Sequence, residues 1–171
     1  MTIKNIVNKV FLSFGANIGN RRKNIELAFE LIQKNDGKII QTSHFYESTP
    51  LGFDSAHLFL NCCVELETYL NPQELILQLL KIESALKRQR FDPNRGYVDR
   101  TIDIDIIFYN DVIVEHSLLT IPHPRMQERL FVLKPLSEIC PDFVHPVLKK
   151  TIAELLAECA DVSKVELTLG L

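Results

Sequence analysis

Apolar and polar positions along this chain follow two rhythms, a period of two and a period near 3.6, and their order predicts its elements. Val10-Phe11-Leu12-Ser13-Phe14 reads as a buried first strand, followed by a glycine-bearing turn, Gly15 to Asn20. Ile25, Ala28, Phe29 and Ile32 then share one helical stripe, with Asn20 placed to cap it and Asn35-Asp36-Gly37 to end it. A second strand is predicted from about Lys38 to Tyr46, and a turn-rich loop from Glu47 to Phe53. From Leu58 the pattern alternates: Leu58, Leu60, Cys62, Val64 and Leu66 face one way, and Phe59, Asn61, Cys63, Glu65 and Glu67 the other. Asn71-Pro72 opens a second helix, striped by Leu75, Ile76, Leu79, Ile82 and Leu86. Alternation returns from Arg100 to Phe108, with Ile102, Ile104, Ile106 and Phe108 opposite Thr101, Asp103 and Asp105. Asn110-Asp111 predicts a hairpin turn into Val112-Ile113-Val114, and Pro141 to Pro146 a linker. Thr151-Ile152-Ala153-Glu154 is a capping box for a last helix, and the tail from Val162 shows no pattern.

Strand-helix-strand-strand-helix-strand is the split βαβ order. The fold class expected is α+β: a ferredoxin-like sandwich, mainly antiparallel, with helices on one side and a C-terminal helix added.

Length and charge narrow the function. At 171 residues and net charge −3, residues 1–171 fit one domain, and no basic excess points to nucleic acid. Cys62, Cys63, Cys140 and Cys159 lack metal-ligand spacing, which reads as free thiols in a reducing cytoplasm. No stretch reaches the length of a membrane span.

The candidate chemistry lies opposite the apolar face of the 100–108 strand. Asp103 and Asp105 would stand roughly 7 Å apart there, a like-charged pair that stability alone does not favour. Such hard oxygen ligands suit Mg²⁺ carried in on substrate phosphates. The alternative is a half-exposed strand that happens to hold two acids. On the 58–67 strand, Phe59 and Asn61 occupy a nominally polar face. They would stack and edge-read a flat heterocycle, or else pack under a loop and cap a turn. Between Lys87 and Arg100 stand five cations against two acids, Asp92 and Asp99, which is either a solvated face or a lid that closes on an anion. His123, held between two prolines, reads as a structural donor or a site residue.

Four stretches resemble the 6-hydroxymethyl-7,8-dihydropterin pyrophosphokinase family: Phe14 to Asn20, Ser48 to Gly52 with Phe59-Leu60-Asn61, Arg100 to Asp105, and Pro122-His123-Pro124-Arg125-Met126 with Glu128-Arg129 and Phe131 to Leu133. The resemblance implies transfer of pyrophosphate from ATP to the pterin's hydroxymethyl oxygen in folate biosynthesis, with release of AMP. It implies two Mg²⁺ on Asp103 and Asp105, and Arg88 and Arg100 as the residues stabilising the transition state. ATP would be held by Glu83, Arg88, Arg90, Arg100, Ile106, Thr120, His123 and Arg129. The pterin would be held by Ser48, Thr49, Pro50, Leu51, Phe59, Asn61, Tyr97 and Phe131. A monomer acting on these small molecules, with no nucleic-acid or membrane partner, is expected. The chain departs from many members at Tyr97-Val98-Asp99, where Trp-Gly-Pro is common, and an acid at 99 beside phosphate is unexpected. A Mg²⁺-dependent phosphohydrolase and a non-catalytic ligand-binding module are the rival readings, each leaving part of this residue set without a role.

Overall fold

The computed structural model describes residues 6–35, 37–88 and 98–168. In chain order it contains β1 (Asn8–Ala16), α1 (Arg21–Asn35), β2 (Lys38–Thr42), β3 (Tyr46–Ser48), β4 (Phe59–Thr68), α2 (Pro72–Ala85), β5 (Asp103–Tyr109), β6 (Val114–His116), β7 (Leu119–Ile121), α3 (Leu130–Ile139), α4 (Ile152–Glu158) and β8 (Val165–Leu167). The main sheet runs β5-β1-β4-β3-β8, with β2 joining β4 beside β3, and every pairing is antiparallel. This is the ferredoxin-like split βαβ order expected.

Local chemistry explains the element ends. Asn20 accepts from the Lys23 amide at 3.0 Å and starts α1. Asn71 and Glu74 close a capping box on α2, and Thr151 and Glu154 close another on α4. Gly37 follows α1 because a Cβ there would sit 2.3 Å from the Glu67 carbonyl oxygen.

Core residues divide between the two faces of the sheet. Leu12, Phe14, Cys62, Val64, Ile104 and Ile106 pack beneath α1 and α2 around Ile25, Ile32, Leu75 and Leu79. The helices of the βαβ unit thus lie on one side, as expected. On the other side Phe11, Cys63, Ile107 and Phe108 lie under α3 and α4.

Four local expectations need correction. The single strand from Lys38 to Tyr46 is two, because β2 pairs with Val64–Glu67 of β4 and β3 with Phe59–Asn61. Between them Ser43 serves Cys63, taking its amide on Oγ at 2.9 Å. Phe108 does not share a face with Ile106. A register shift pairs Phe11 with Phe108 and Leu12 with Ile106, so Ile107 is an extra residue and Phe108 turns to the α3 side. The Asn110-Asp111 turn forms, with Asn110 at φ 47°, but no strand returns to β5 there. Instead β6 pairs with β7 in a separate two-stranded sheet. Finally, α3 and β8 had no counterpart in the sequence reading. Pro135 lies inside α3 and argues against a helix locally. Burial of Val132, Leu133, Leu136 and Ile139 overrides it.

Among the described residues no helix is long and apolar enough to cross a membrane. All four cysteines are unpaired, and Cys62 and Cys63 are fully buried.

Candidate active site

The part of the second face that α3 and α4 leave open carries a cavity of about 360 Å³. Ser13 and Gly15 of β1, Asn61 and Phe59 of β4, Ser48 of β3, and Asp103 and Asp105 of β5 line it. These residues share a face because antiparallel pairing puts Gly15 opposite both Asn61 and Asp103, and Ser13 opposite Asp105. Alternation along each strand does the rest.

At one end the cavity is aromatic and neutral. Phe59 stands edge-to-face with Phe53 of the 49–53 loop, ring centroids 6.1 Å apart. Phe131, in the first turn of α3, lines the same cavity. Asn61 is 2% exposed, and its Nδ2 donates to Ser48 Oγ at 2.9 Å and to the Tyr46 carbonyl at 3.3 Å. Its amide is therefore fixed, with Oδ1 turned toward Gly15. A Cβ on Gly15 would come within 3.4 Å of that oxygen and 3.6 Å of Phe59, so glycine leaves the cavity floor open.

The other end is charged. Glu83 of α2 is 1% exposed and accepts the Ile104 amide at 2.9 Å and a guanidinium hydrogen bond from Arg88. Arg88 also reaches Asp103 Oδ1 at 2.8 Å, and Arg100 donates to Asp103 Oδ2 at 2.6 Å. Both oxygens of Asp103 are thus held by cations. Asp105 lies 4.0 Å from His123 Nε2. Burial, then the Asp103 charge, holds the Asp105 carboxyl well above the usual carboxylate range, with Arg129 and Arg88 opposing the rise. Its side chain keeps 39% of its surface open, so water offsets part of that effect. Burial, reinforced by Arg129 and Arg125, pushes His123 down to about 4, and its imidazole is neutral at pH 7.

The expected site residues separate in space. Ser48, Thr49, Leu51, Phe59, Asn61, Arg88, Arg100, Asp103, Asp105, His123, Arg129 and Phe131 meet around the cavity. Glu83 stands behind it and braces Arg88. The Ile106 side chain lies in the core beneath α1 and α2, so only its backbone faces the site's strand edge. Thr120 lines a second, smaller cavity of about 160 Å³ that shares His123 with the first. Pro50 is not among the lining residues. Arg90, Arg95 and Tyr97, and with them the middle of the expected lid, lie outside the described residues. The sequence reading gave no role to Phe53, Asn17, Arg125 or Glu128. Loops have no facing period; the aromatic character of Phe53, and the place of Asn17, Arg125 and Glu128 in the stretches that resemble the family, are the signals that could have singled them out.

Among the described residues no cluster of three or more His, Cys, Asp or Glu side chains forms a complete metal cage. Two adjacent carboxylates with open space before them suit instead a hard cation that brings phosphate and water oxygens with it.

Fold and cavity together define an α+β sandwich whose cleft, lined by acids and arginines, joins an aromatic slot. Comparison with known proteins is specific. The family profile described as 7,8-dihydro-6-hydroxymethylpterin-pyrophosphokinase matches residues 11–141, and the chain belongs to that family. A Porphyromonas gingivalis 2-amino-4-hydroxy-6-hydroxymethyldihydropteridine pyrophosphokinase is 40% identical over 138 residues, 80% of this chain and 93% of that protein. The folic acid synthesis protein fol1 of Pneumocystis carinii is 41% identical over 152 residues, which are 89% of this chain and 20% of the fungal protein. The chain thus spans about a fifth of that relative's length. The Plasmodium falciparum HPPK-DHPS crystal structure with pteroate shares the fold, with a TM-score of 0.75, 20% identity, and coverage of 90% of this chain and 44% of that one.

Proposed function

We propose that this chain transfers the pyrophosphoryl group of ATP to the hydroxymethyl oxygen of 6-hydroxymethyl-7,8-dihydropterin, releasing AMP, as a step of folate biosynthesis. The observation that carries the reading is one cavity with Phe59 and Asn61 at its neutral end and Asp103, Asp105, Arg88 and Arg100 at the other. Family membership supports it.

Phe59 and Phe131 would grip the pterin faces, while Asn61 Oδ1, Ser48, Thr49 and Leu51 read its edge. The pterin's hydroxymethyl group would then point toward the carboxylates. Its oxygen attacks the β-phosphorus and displaces AMP. Arg88 and Arg100 would exchange Asp103 for triphosphate oxygens, where they stabilise the charge that develops in transfer. Asp103 and Asp105 would hold two Mg²⁺, which when bound neutralise the phosphate oxygens flanking the transferred group. The second cavity beyond His123 offers the nucleotide's base a place beside Thr120. His123, being neutral, would serve there through hydrogen bonds rather than charge. Unpaired thiols fit a reducing cytoplasm, and we expect a monomer.

The test is incubation with ATP, MgCl₂ and 6-hydroxymethyl-7,8-dihydropterin. Equimolar AMP and pterin diphosphate are expected, with none formed in EDTA. Inorganic phosphate released independently of the pterin would instead make the chain a phosphohydrolase and leave the aromatic end unexplained.

A further inference from the structure

Asp99 stands where an acid beside phosphate would be unfavourable, and its surroundings give it a different occupation. Asn17, in the turn after β1, is 2% exposed and faces two ways. Its Oδ1 accepts the Arg100 amide at 2.7 Å, and its own amide donates to the Arg100 carbonyl at 3.1 Å. Its Nδ2 donates to Asp99 Oδ1 at 2.6 Å. Ser55 and His57, in the loop after Phe53, stand near Asp99 and, with the Asn17 hydrogen bond, favour its charged form. The Phe53 ring centre lies 5.8 Å from the Arg100 guanidinium, with the Phe59 ring centre at 5.4 Å.

We propose that Asp99 is a positioning residue that joins the aromatic end of the cavity to its phosphate end. Through Asn17 it orients the backbone of Arg100, whose guanidinium stands beside the Phe53 and Phe59 rings. Without the carboxylate the Asn17 Nδ2 loses this acceptor, and the side chain's hold on the Arg100 amide loosens. Arg100 and Phe53 then lose their common register. The proposal rests on the pyrophosphokinase reading for its kinetic consequence but not for its structural one.

The experiment compares wild type, Asp99→Ala, Asp99→Asn, Asn17→Ala and Asp99→Ala/Asn17→Ala. AMP formation and amide hydrogen exchange are both measured. For Asp99→Ala we expect kcat to fall about tenfold and the pterin KM to rise about tenfold, with the melting temperature close to wild type. Asp99→Asn keeps an acceptor for Asn17 and recovers most of the loss. The double variant is no worse than the more impaired single one, because the contacts form one chain. Exchange at the Arg100 amide and across 53–57 quickens in Asp99→Ala. Wild-type kinetics and unchanged exchange in that variant overturn the proposal, as do losses that multiply in the double variant. If wild type forms no AMP, the pyrophosphokinase reading fails by itself. Exchange at Arg100 and 53–57 then still decides whether Asp99 joins the two segments.

Discussion

Arg100 donates from Nη1 to Asp103 Oδ2 at 2.6 Å, while Arg88 holds the other oxygen at 2.8 Å. The pair of strand carboxylates is therefore unequal. Asp103 is matched by two guanidinium groups, each on a side chain only 13% exposed, whereas Asp105 has His123 at 4.0 Å and a neutral imidazole to face.

Alanine at either position should lower AMP formation by about 10³-fold or more, the scale of losing a main electrostatic contact to the transition state. Stability should separate them. Asp103→Ala leaves two largely enclosed cations facing each other and should cost about 1–3 kcal/mol, less than a fully buried broken pair. Asp105→Ala removes a like-charge neighbour of Asp103 and should melt at or above the wild-type temperature. Equal destabilisation in urea melts would mean that the two arginines do not hold Asp103 in solution.

Metal-free nucleotide binding probes the same clamp from the other side. In EDTA, Asp103→Ala removes a competitor of the triphosphate for Arg88 and Arg100, and a repelling charge with it. Calorimetry should show ATP binding at least as tight as in wild type. With Mg²⁺ the order should reverse. Weaker binding by the variant in both conditions would place the arginines elsewhere.

For Phe59→Ala, the expected loss of pterin affinity is roughly 10- to 100-fold, the scale of removing one aromatic stacking partner. Because the Arg100 guanidinium lies 5.4 Å from this ring, kcat should fall as well. ATP affinity should change little, and Phe59→Tyr should act like wild type. Equal losses for both ligands in titrations of Phe59→Ala would make the ring a core residue.

Much of this site was legible because alternation along a strand is a geometric fact. With 58–67 and 100–108 read as strands, Phe59 and Asn61 share one face and Asp103 and Asp105 another, and pairing through β1 makes those faces one. What was not legible depends on contacts with no period. The extra residue at Ile107 leaves no trace in composition, yet it moves Phe108 across the sheet. β8 is three residues long, with only Val165 buried, too short to alternate. Asn17 is a loop residue whose partners, Asp99 and Arg100, lie far along the chain. The unequal status of the two acids also escaped the strand pattern, because it comes from Arg88 and Arg100 off the strand.

His123 supplies a pH dependence with a definite sign. Burial, with Arg129 and Arg125 beside it, lowers its folded-state value to about 4 from an ordinary 6.5. The unfolded chain therefore binds the proton more readily. The stability that the neutral ring contributes is complete above pH 6.5 and is lost as pH falls toward 4, at most about 3 kcal/mol for a shift of that size. His123→Gln, which cannot titrate, should flatten the stability profile between pH 6.5 and 4. A ring NMR titration of wild type showing protonation near pH 6.5 would count against this environment.

Asp161, which the sequence reading gave no role, accepts the Leu130 amide at 2.8 Å and so caps the first turn of α3. Phe131 stands in that turn, one residue on, facing the cavity. Partial burial would raise the Asp161 carboxyl, but hydrogen bonds from the Leu130 and Ser163 amides outweigh it and hold it below its ordinary value. Its contribution is therefore present at neutral pH and lost only as pH falls below about 4, through the folded-state value. Asp161→Ala should cost about 1 kcal/mol at pH 7, the usual worth of an N-cap. The gap from wild type should close in the acid range, where both proteins carry no charge at 161. Because the freed turn holds Phe131, the variant should also raise the pterin KM while leaving that for ATP unchanged. A stability gap that stays constant from pH 7 to pH 3 would remove the carboxylate from the cap, and an unchanged pterin KM would separate the cap from the slot.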